Sequence, residues 1–292
     1  MSESIALAVI GGSGFYEMPG LVDLEELNVE TPYGPTSDAI RVGCLEGQRV
    51  AFLARHGRGH RLLPSELPQR ANFWALKSLG VTRVVAISAV GSLREDYRPG
   101  DLVVASQTID RTRGTRPSTY FGDGVVAHVG MAEPFCPPLS QAAFRGANDA
   151  GAPVHAAGTY ICIEGPAFGT RAESHLYRGW GADIVGMTAI PEAKLAREAE
   201  LCYALVAAVT DYDSWHESEG AVDAKTVFAV LAENVGRARA MVRNLAANLP
   251  APGGCDCGVA LDAALVTAPE AITPEARARL GPILSRRLGG SS

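Results

Sequence analysis

No uncharged apolar run in this 292-residue chain reaches the roughly 18 residues that a membrane-spanning helix needs. No block of lysine or arginine stands out, and 26 basic against 32 acidic residues leave a net charge of −6 at pH 7. Proteins that neutralise a nucleic-acid backbone carry the opposite balance, so polynucleotide binding is excluded as a main role. The six cysteines are scattered and none forms a Cys-x-x-Cys pair. Their spacing therefore writes neither a zinc site nor a thioredoxin-type motif, and no metal is expected. The start, Met1-Ser-Glu-Ser4, has no basic region and no small-residue cleavage site, so no secretory signal is read there. These absences predict a soluble protein of the reducing cytoplasm, with neither nucleic acid nor membrane as partner.

What is present is ample material for a core, with 47% hydrophobic and 20% charged residues. The length allows one or two domains, and one large α/β unit fits. Short β-branched runs at Ile5–Ile10, Val50–Ala54, Val84–Ser88, Leu102–Ala105, Gly158–Ile163, Ile184–Met187 and Cys202–Thr210 predict buried strands. Amphipathic segments at Ala71–Leu79, Pro138–Ala150, Ala172–Trp180, Pro191–Ala199 and Ala224–Ala247 predict helices. The alternation implies a single α/β domain over residues 1–250, with a central mixed, mostly parallel sheet flanked by helices. From Pro250-Ala-Pro-Gly-Gly the composition shifts. Residues 251–292 read as a helical or partly disordered appendage on the same domain or a neighbouring subunit, with short helices at Leu261–Val266 and Pro274–Leu288.

Ligands of open α/β sheets bind beyond the carboxyl ends of strands, which singles out Gly11–Gly14, Arg55–His60, Ser88–Ser92, Gly186–Thr188 and Asp211–Asp213. Gly11-Gly-Ser-Gly14 lets backbone N–H groups and the Ser13 hydroxyl approach an anion, although a tight turn would use the same glycines. The dinucleotide pattern fails, because Glu17 stands where the third glycine belongs. Arg55 and His56 follow a strand and suit phosphate, the first by its planar fork and the second as a donor; a solvated basic loop is the bland alternative. Ser88 and Ala89 add small, hydroxyl-bearing chain at another strand end, and Phe168 offers a flat face to a ring. Thr210-Asp-Tyr-Asp213 ends the most apolar run, so burial and a like-charged neighbour both raise a carboxyl pKa there. A protonated Asp shows a donor beside an acceptor, the complement of N7 and the 6-amino group of adenine; a turn or a cap would use the same two residues.

Taken together, Gly11–Gly14, Thr31-Pro-Tyr-Gly-x-x-Ser-Asp38, Leu53-Ala-Arg-His-Gly-Arg58, Asn72-x-Trp-Ala-Leu-Lys77, Gly91-Ser-Leu-Arg-Glu95, Met131-Ala-Glu-Pro-Phe-Cys136, Glu164-Gly-Pro166, Met187-Thr188 and Thr210–Asp213 carry a specific resemblance. With Pro99-Gly-Asp101, Ile109–Thr112, Arg171–Ser174, Trp180–Asp183 and Pro191-Glu192 they keep their order from Gly11 to Asp213. The chain resembles the 5′-methylthioadenosine phosphorylases of the trimeric purine nucleoside phosphorylase superfamily. The resemblance implies a phosphorylase/hydrolase-like fold, a homotrimer or dimer of trimers, and a nucleoside and inorganic phosphate as small-molecule partners. The reaction is glycosidic cleavage by phosphate in purine and methionine salvage, with no metal or organic cofactor.

Carried over by motif, Ser13, Arg55, His56, Ser88, Ala89 and Thr188 should hold phosphate. Met187 should pack on the ribose, Phe168 on the base, and Val227 near the 5′ end, while His128 should reach the 5′ pocket of a neighbouring subunit. Asp211 should be the general acid at N7 and Asp213 should face the purine edge, a pair that favours 6-aminopurines. Three positions depart from the family and bear on specificity: Gly186 in place of Asn, Ala224 in place of Val, and Gly169 in place of Ser. Cys255-Asp-Cys257 resembles a Cys-x-Cys element of some thermophilic relatives, but so short a bridge is strained. Two free thiols are expected there, and ordinary buried ones at Cys136 and Cys202. A broader purine nucleoside phosphorylase accepting inosine, methylthioinosine or another 5′-modified nucleoside, and a non-catalytic nucleoside-binding protein, are the competing readings.

Overall fold

The structure, a computed structural model, describes residues 4–12, 15, 18–216, 224–251 and 253–289, with residues 224–229 described by their backbone alone. Among them, eleven strands join one mixed sheet. They are β1 (Leu7–Gly11), β2 (Val22–Leu27), β3 (Ile40–Leu45), β4 (Gln48–Ala54), β5 (Arg83–Ser92) and β6 (Leu102–Val104). The remainder are β7 (Gln107–Arg111), β8 (Val154–His155), β9 (Thr159–Ile163), β10 (Ile184–Gly186) and β11 (Cys202–Asp211). The order along the main path is β2-β3-β4-β1-β5-β10-β9-β7, while β11 lies against β5 and carries β6 and then β8. The central pairings β4–β1–β5–β11 are parallel, and the outer β2–β3–β4 meander is antiparallel. No described helix is long and apolar enough to cross a membrane.

Side chains alternate across the central strands and so divide the core in two. Ala8 and Ile10 of β1, with Tyr203, Leu205 and Val209 of β11, face helices α1 (Gln69–Ser78) and α4 (Ala189–Glu198). Leu7 and Val9, with Ala204, Val206 and Ala208, face α2 (Pro137–Asp149) and α5 (Ala224–Ala247). The seven predicted strands and five predicted helices all form. Local chemistry explains their ends: α2 opens on Pro137, and α3 (Arg171–Gly179) opens on a capping box between Thr170 and Glu173. Strands β2, β3, β7 and β8 are additions to the sequence reading. β3 and β4 are joined by a two-residue turn, Glu46-Gly47, with φ of +50° and +76°, the geometry that suits the twist of a hairpin.

The C-terminal segment differs from expectation. Leu261–Val266 is a run of turns rather than a helix, because Leu261 N–H is taken by Glu200 Oε1 and Leu265 bridges to Ala127. A segment this short has little helical stability to set against such contacts. Pro274–Leu288 divides into α6 (Pro274–Leu280), a 3₁₀ turn at Gly281–Ile283 and α7 (Ser285–Leu288). Gly281 at φ +38° and Pro282 after it cannot continue the helix. Leu261, Ile272, Leu280, Ile283 and Leu284 are buried in the same apolar cluster as α1 and α4. Arg286 makes a two-point contact with the buried Glu200 carboxylate, at 2.8 and 2.5 Å. Leu280→Ala is expected to cost about 2–5 kcal/mol of stability, read as a fall in the urea or thermal midpoint. An unchanged midpoint would show that this segment contributes nothing to the core.

Candidate active site

The site forms where β5 changes neighbours. Through Val84–Ile87 one edge of β5 is paired with β1; at Gly91 and Ser92 the same edge is paired with β10. β11 occupies the other edge throughout. Ser88, Ala89 and Val90 thus have no strand beside them on that edge among the described residues, and a cavity of about 380 Å³ opens there. Its position beyond the carboxyl end of β1 obeys the rule for parallel sheets, and its volume suits a nucleoside-sized ligand. Gly91 makes the junction possible, because a Cβ there would lie 3.0 Å from both Asp211 Oδ1 and Asp213 Cβ.

At one end of the cavity lies Arg55, 1% exposed, against Glu192, which is fully buried. Its Nε donates to Glu192 Oε1 at 2.5 Å, Nη2 to Oε2 at 3.3 Å, and Nη1 to the Ile87 carbonyl at 2.7 Å. Gln69 and the Tyr203 hydroxyl also donate to the same carboxylate. Three of the five guanidinium N–H groups are thereby used, leaving one each on Nη1 and Nη2 for a ligand anion. Burial works against the charge, but Glu192 holds the Arg55 pKa above its ordinary value. Around it stand Ser88 and Thr188, whose hydroxyls are 3.2 Å apart, with the Tyr160 hydroxyl 3.5 Å from Ser88 Oγ. Burial pushes the Tyr160 phenol up to about 12, so it is a neutral donor.

His56 stands beside Arg55 but in a different state from the expected donor. Burial, with Arg55 and His60 nearby, lowers its pKa to about 4 although the Leu62 carbonyl opposes the shift. The ring is neutral near pH 7. Nδ1 lies 2.8 Å from the Leu62 carbonyl, an acceptor only, so Nδ1 carries the hydrogen and the other ring nitrogen is an acceptor. Against phosphate, His56 must either take up a proton or accept the hydrogen of a protonated phosphate oxygen.

At the other end are two buried acids. Asp211 Oδ2 lies 2.7 Å from Thr210 Oγ1, and Oδ1 accepts the Asp213 N–H at 2.8 Å. Asp213, held at φ +50°, accepts a short hydrogen bond from Ser174 Oγ. Burial raises its carboxyl pKa above the ordinary value against the lowering effect of Ser174 and the Ser214 N–H. Between the two ends, Met187 and Phe168 line the cavity; Phe168 is 43% exposed, at the rim. The Met187 carbonyl is fixed by Arg116, which also binds Glu164 and the Ile190 carbonyl, so one buried guanidinium ties two cavity loops together.

Of the residues predicted for the site, Arg55, His56, Ser88, Ala89, Phe168, Gly169, Gly186, Met187, Thr188, Asp211 and Asp213 line this one cavity. Ser13 and the side chains of Ala224 and Val227 lie outside the described residues. His128 is exposed, bound through its N–H to the Ala264 carbonyl, and does not line the cavity of its own chain. Gly186 takes on a different meaning: a Cβ there would fall on the buried Tyr160 phenol, so Tyr160 already fills the space the missing side chain leaves. At Gly169 a Cβ would meet nothing closer than 3.9 Å, so that position is open beside Asp213. Sequence reasoning missed Glu192, Tyr160, Arg116 and Ser174 as supports, though Glu192 and Ser174 stand inside quoted motifs. It also left the cysteines apart, whereas the fold brings the sulfurs of Cys136, Cys202, Cys255 and Cys257 within 4.8 Å of one another. Cys202 is only half-buried, unlike the ordinary buried thiol expected there.

A family model described as the phosphorylase superfamily matches residues 6–247. The S-methyl-5′-thioadenosine phosphorylase of Geobacter sulfurreducens is 52% identical over 278 residues, covering 95% of this chain and 97% of that protein. A crystal structure of a methylthioadenosine phosphorylase from an antarctic soil metagenomic library is 49% identical. It superposes with a TM-score of 0.90 over 96% of this chain and 99% of its own. The methylthioadenosine phosphorylase of Schistosoma mansoni in complex with adenine is 36% identical, with a TM-score of 0.80 over 89% of this chain and 96% of its own. The fold is that of a nucleoside-type phosphorylase, a pentosyltransferase class of enzyme. Within that class the chain belongs to the S-methyl-5′-thioadenosine phosphorylase family.

Two predictions follow from the Arg55 end. Glu192→Gln leaves a buried guanidinium without its counter-charge and is expected to cost about 3–5 kcal/mol in equilibrium unfolding; a loss near zero would mean the pair is not buried as described. For His56, the folded-state pKa of about 4 lies below its ordinary value of about 6.5. Its contribution to stability is therefore present above pH 6.5 and lost as pH falls through about 4. Unfolding midpoints across that range should fall less steeply in His56→Asn than in the parent; parallel curves would refute the neutral assignment.

Proposed function

We propose that the chain cleaves the N-glycosidic bond of 5′-methylthioadenosine with inorganic phosphate, reversibly giving adenine and 5-methylthioribose 1-phosphate. The observation that carries this reading is a single cavity with a buried cation at one end and two buried aspartates at the other. Arg55, Ser88, the Ala89 backbone and Thr188 hold phosphate, with Ser13 of the Gly11-Gly-Ser-Gly14 sequence and His56 accepting or taking up a proton. Met187 lies under the ribose, and Phe168 covers the base from the rim. The Schistosoma relative's complex with adenine supports a purine as the ligand.

As the C1′–N9 bond lengthens, its electron pair moves onto the purine and the sugar becomes oxocarbenium-like. A phosphate oxygen, fixed against Arg55, stabilises that cation and then bonds to C1′. The purine leaves as a neutral base when Asp211 delivers a proton to N7. One hydrogen-bond conflict supports a proton there. Thr210 Oγ1 lies 3.1 Å from the Val90 carbonyl and 2.7 Å from Asp211 Oδ2, and it has only one hydrogen to give. A proton on Oδ2 lets the hydroxyl serve Val90 and accept from Asp211; when the purine binds, that proton turns to N7, and as it is transferred the Thr210 hydroxyl turns to donate to the ionised Oδ2. Asp213 faces the 6-amino group, oriented by Ser174.

The reaction needs no metal or organic cofactor, since phosphate is a co-substrate. We read the enzyme as a cytoplasmic homotrimer in which His128 completes the 5′ pocket of a neighbour. Its exposure outside its own cavity, on a segment bridged to Leu265, supports that reading. Asp211→Ala is expected to lower kcat for phosphate-dependent adenine release by about 10²–10⁴-fold. Undiminished turnover, or a higher kcat/KM for inosine than for methylthioadenosine, would defeat the aspartate assignment.

A further inference from the structure

We propose that Cys136, Cys202, Cys255 and Cys257 bind one zinc ion as a structural tetrathiolate site that fastens the C-terminal segment to the sheet. The four residues come from three separate parts of the chain. Cys136 precedes α2, Cys202 opens β11, and Cys255 and Cys257 stand in the tail just beyond Pro250. All four sulfurs lie within 4.8 Å of one another, with Cys202–Cys255 at 3.4 Å and Cys136–Cys255 at 3.6 Å. Four sulfurs arranged tetrahedrally about zinc at bonds of about 2.3 Å are separated by about 3.8 Å. The cluster already has nearly that spacing. Two disulfides would satisfy the same sulfurs only by drawing them into pairs, one of which could be the strained Cys255–Cys257 loop.

The surroundings suit thiolates. Binding converts four thiols and Zn²⁺ into a complex of net charge −2 and releases four protons. The Arg197 guanidinium, 3.6 Å from Cys257 Sγ and anchored on the Glu133 carbonyl, offsets part of that charge. Such outer contacts orient metal-bound ligands. Cys136 and Cys257 are each 2% exposed, while Cys202 and Cys255 are half-buried. Tetrahedral sulfur-only donor sets select zinc among the common divalent ions, and with four protein ligands the ion has no open position for chemistry. Cys202 and Asp211 are the two ends of β11, about 30 Å apart, so the ion touches no reacting group.

The test is elemental analysis of the full-length protein purified without chelator, with intact-mass measurement of its thiols. We expect one zinc per chain, six reduced cysteines, and release of the zinc by a mercurial reagent. Cys255→Ser and Cys257→Ser should lose the ion and unfold at lower temperature, with kcat/KM unchanged below that transition. Arg197→Gln should retain the ion about 10-fold less well against a competing chelator. Two disulfides in the fresh protein, iron in place of zinc, or a reduced chain that takes up no added zinc would each overturn the assignment.

Discussion

Burying Arg55 against Glu192 removes two charges from water, and each loses several kcal/mol of hydration that their mutual attraction alone recovers poorly. The fold offsets the loss by completing the hydrogen bonding. Glu192 accepts from Arg55, Gln69 and Tyr203, and Arg55 also donates to the Ile87 carbonyl. Those partners come from the residue just after β4 and from α1, β5, α4 and β11, so the pair can exist only when the central strands and both helices on that face are in place. The result is a positive charge fixed at the cavity wall of a protein with an overall charge of −6. A mobile surface arginine would have to be ordered at each turnover, whereas this one is ordered by folding.

β5 acts as the ruler for everything else. It carries β1 on one edge for its first half and β10 for its last two residues, and the break between them is the cavity. β11 runs in parallel register along the opposite edge and brings Asp211 level with Gly91. The Ser88 hydroxyl and the Asp211 carboxyl group are therefore separated by a fixed number of residues on two rigid strands rather than by loop conformation. Sites supported in this way hold their geometry more closely than sites built on loops alone.

The sequence made the buried half of this design readable. β1, β5 and β11 are near-continuous apolar runs, and each ends in residues that bear polar groups or glycine, so both the strands and the site positions could be found. β2, Val-Asp-Leu-Glu-Glu-Leu, was hidden because it is an exposed edge strand with charged side chains, which carries no apolar run. β7, Gln-Thr-Ile-Asp-Arg, was hidden for the same reason. Glu192 and Arg55 are 137 residues apart, and no local pattern reports that they meet. His56 was legible as a site residue but not in its protonation state, since burial and the Leu62 carbonyl are properties of the fold. The cysteine cluster was invisible for a related reason: metal motifs are recognised by short spacings, whereas here one strand start, one helix start and the tail supply the sulfurs.

The placement of charge along the cavity matches what the proposed reaction must stabilise. Cleavage separates a positive sugar from a negative purine while a phosphate anion approaches from the opposite side. A cation at the phosphate end cannot neutralise the departing base, and a protonated carboxyl at the purine end can, because it answers developing negative charge by proton transfer. Were Asp211 and Asp213 both ionised beside the base, they would repel the charge that has to accumulate there. Burial at the end of β11, where Asp213 is already pushed toward its neutral form, works against that state. On the proposed mechanism the apolar run preceding Asp211 serves the chemistry as well as the core, since a more solvated strand end would favour two carboxylates and leave the purine with no acid.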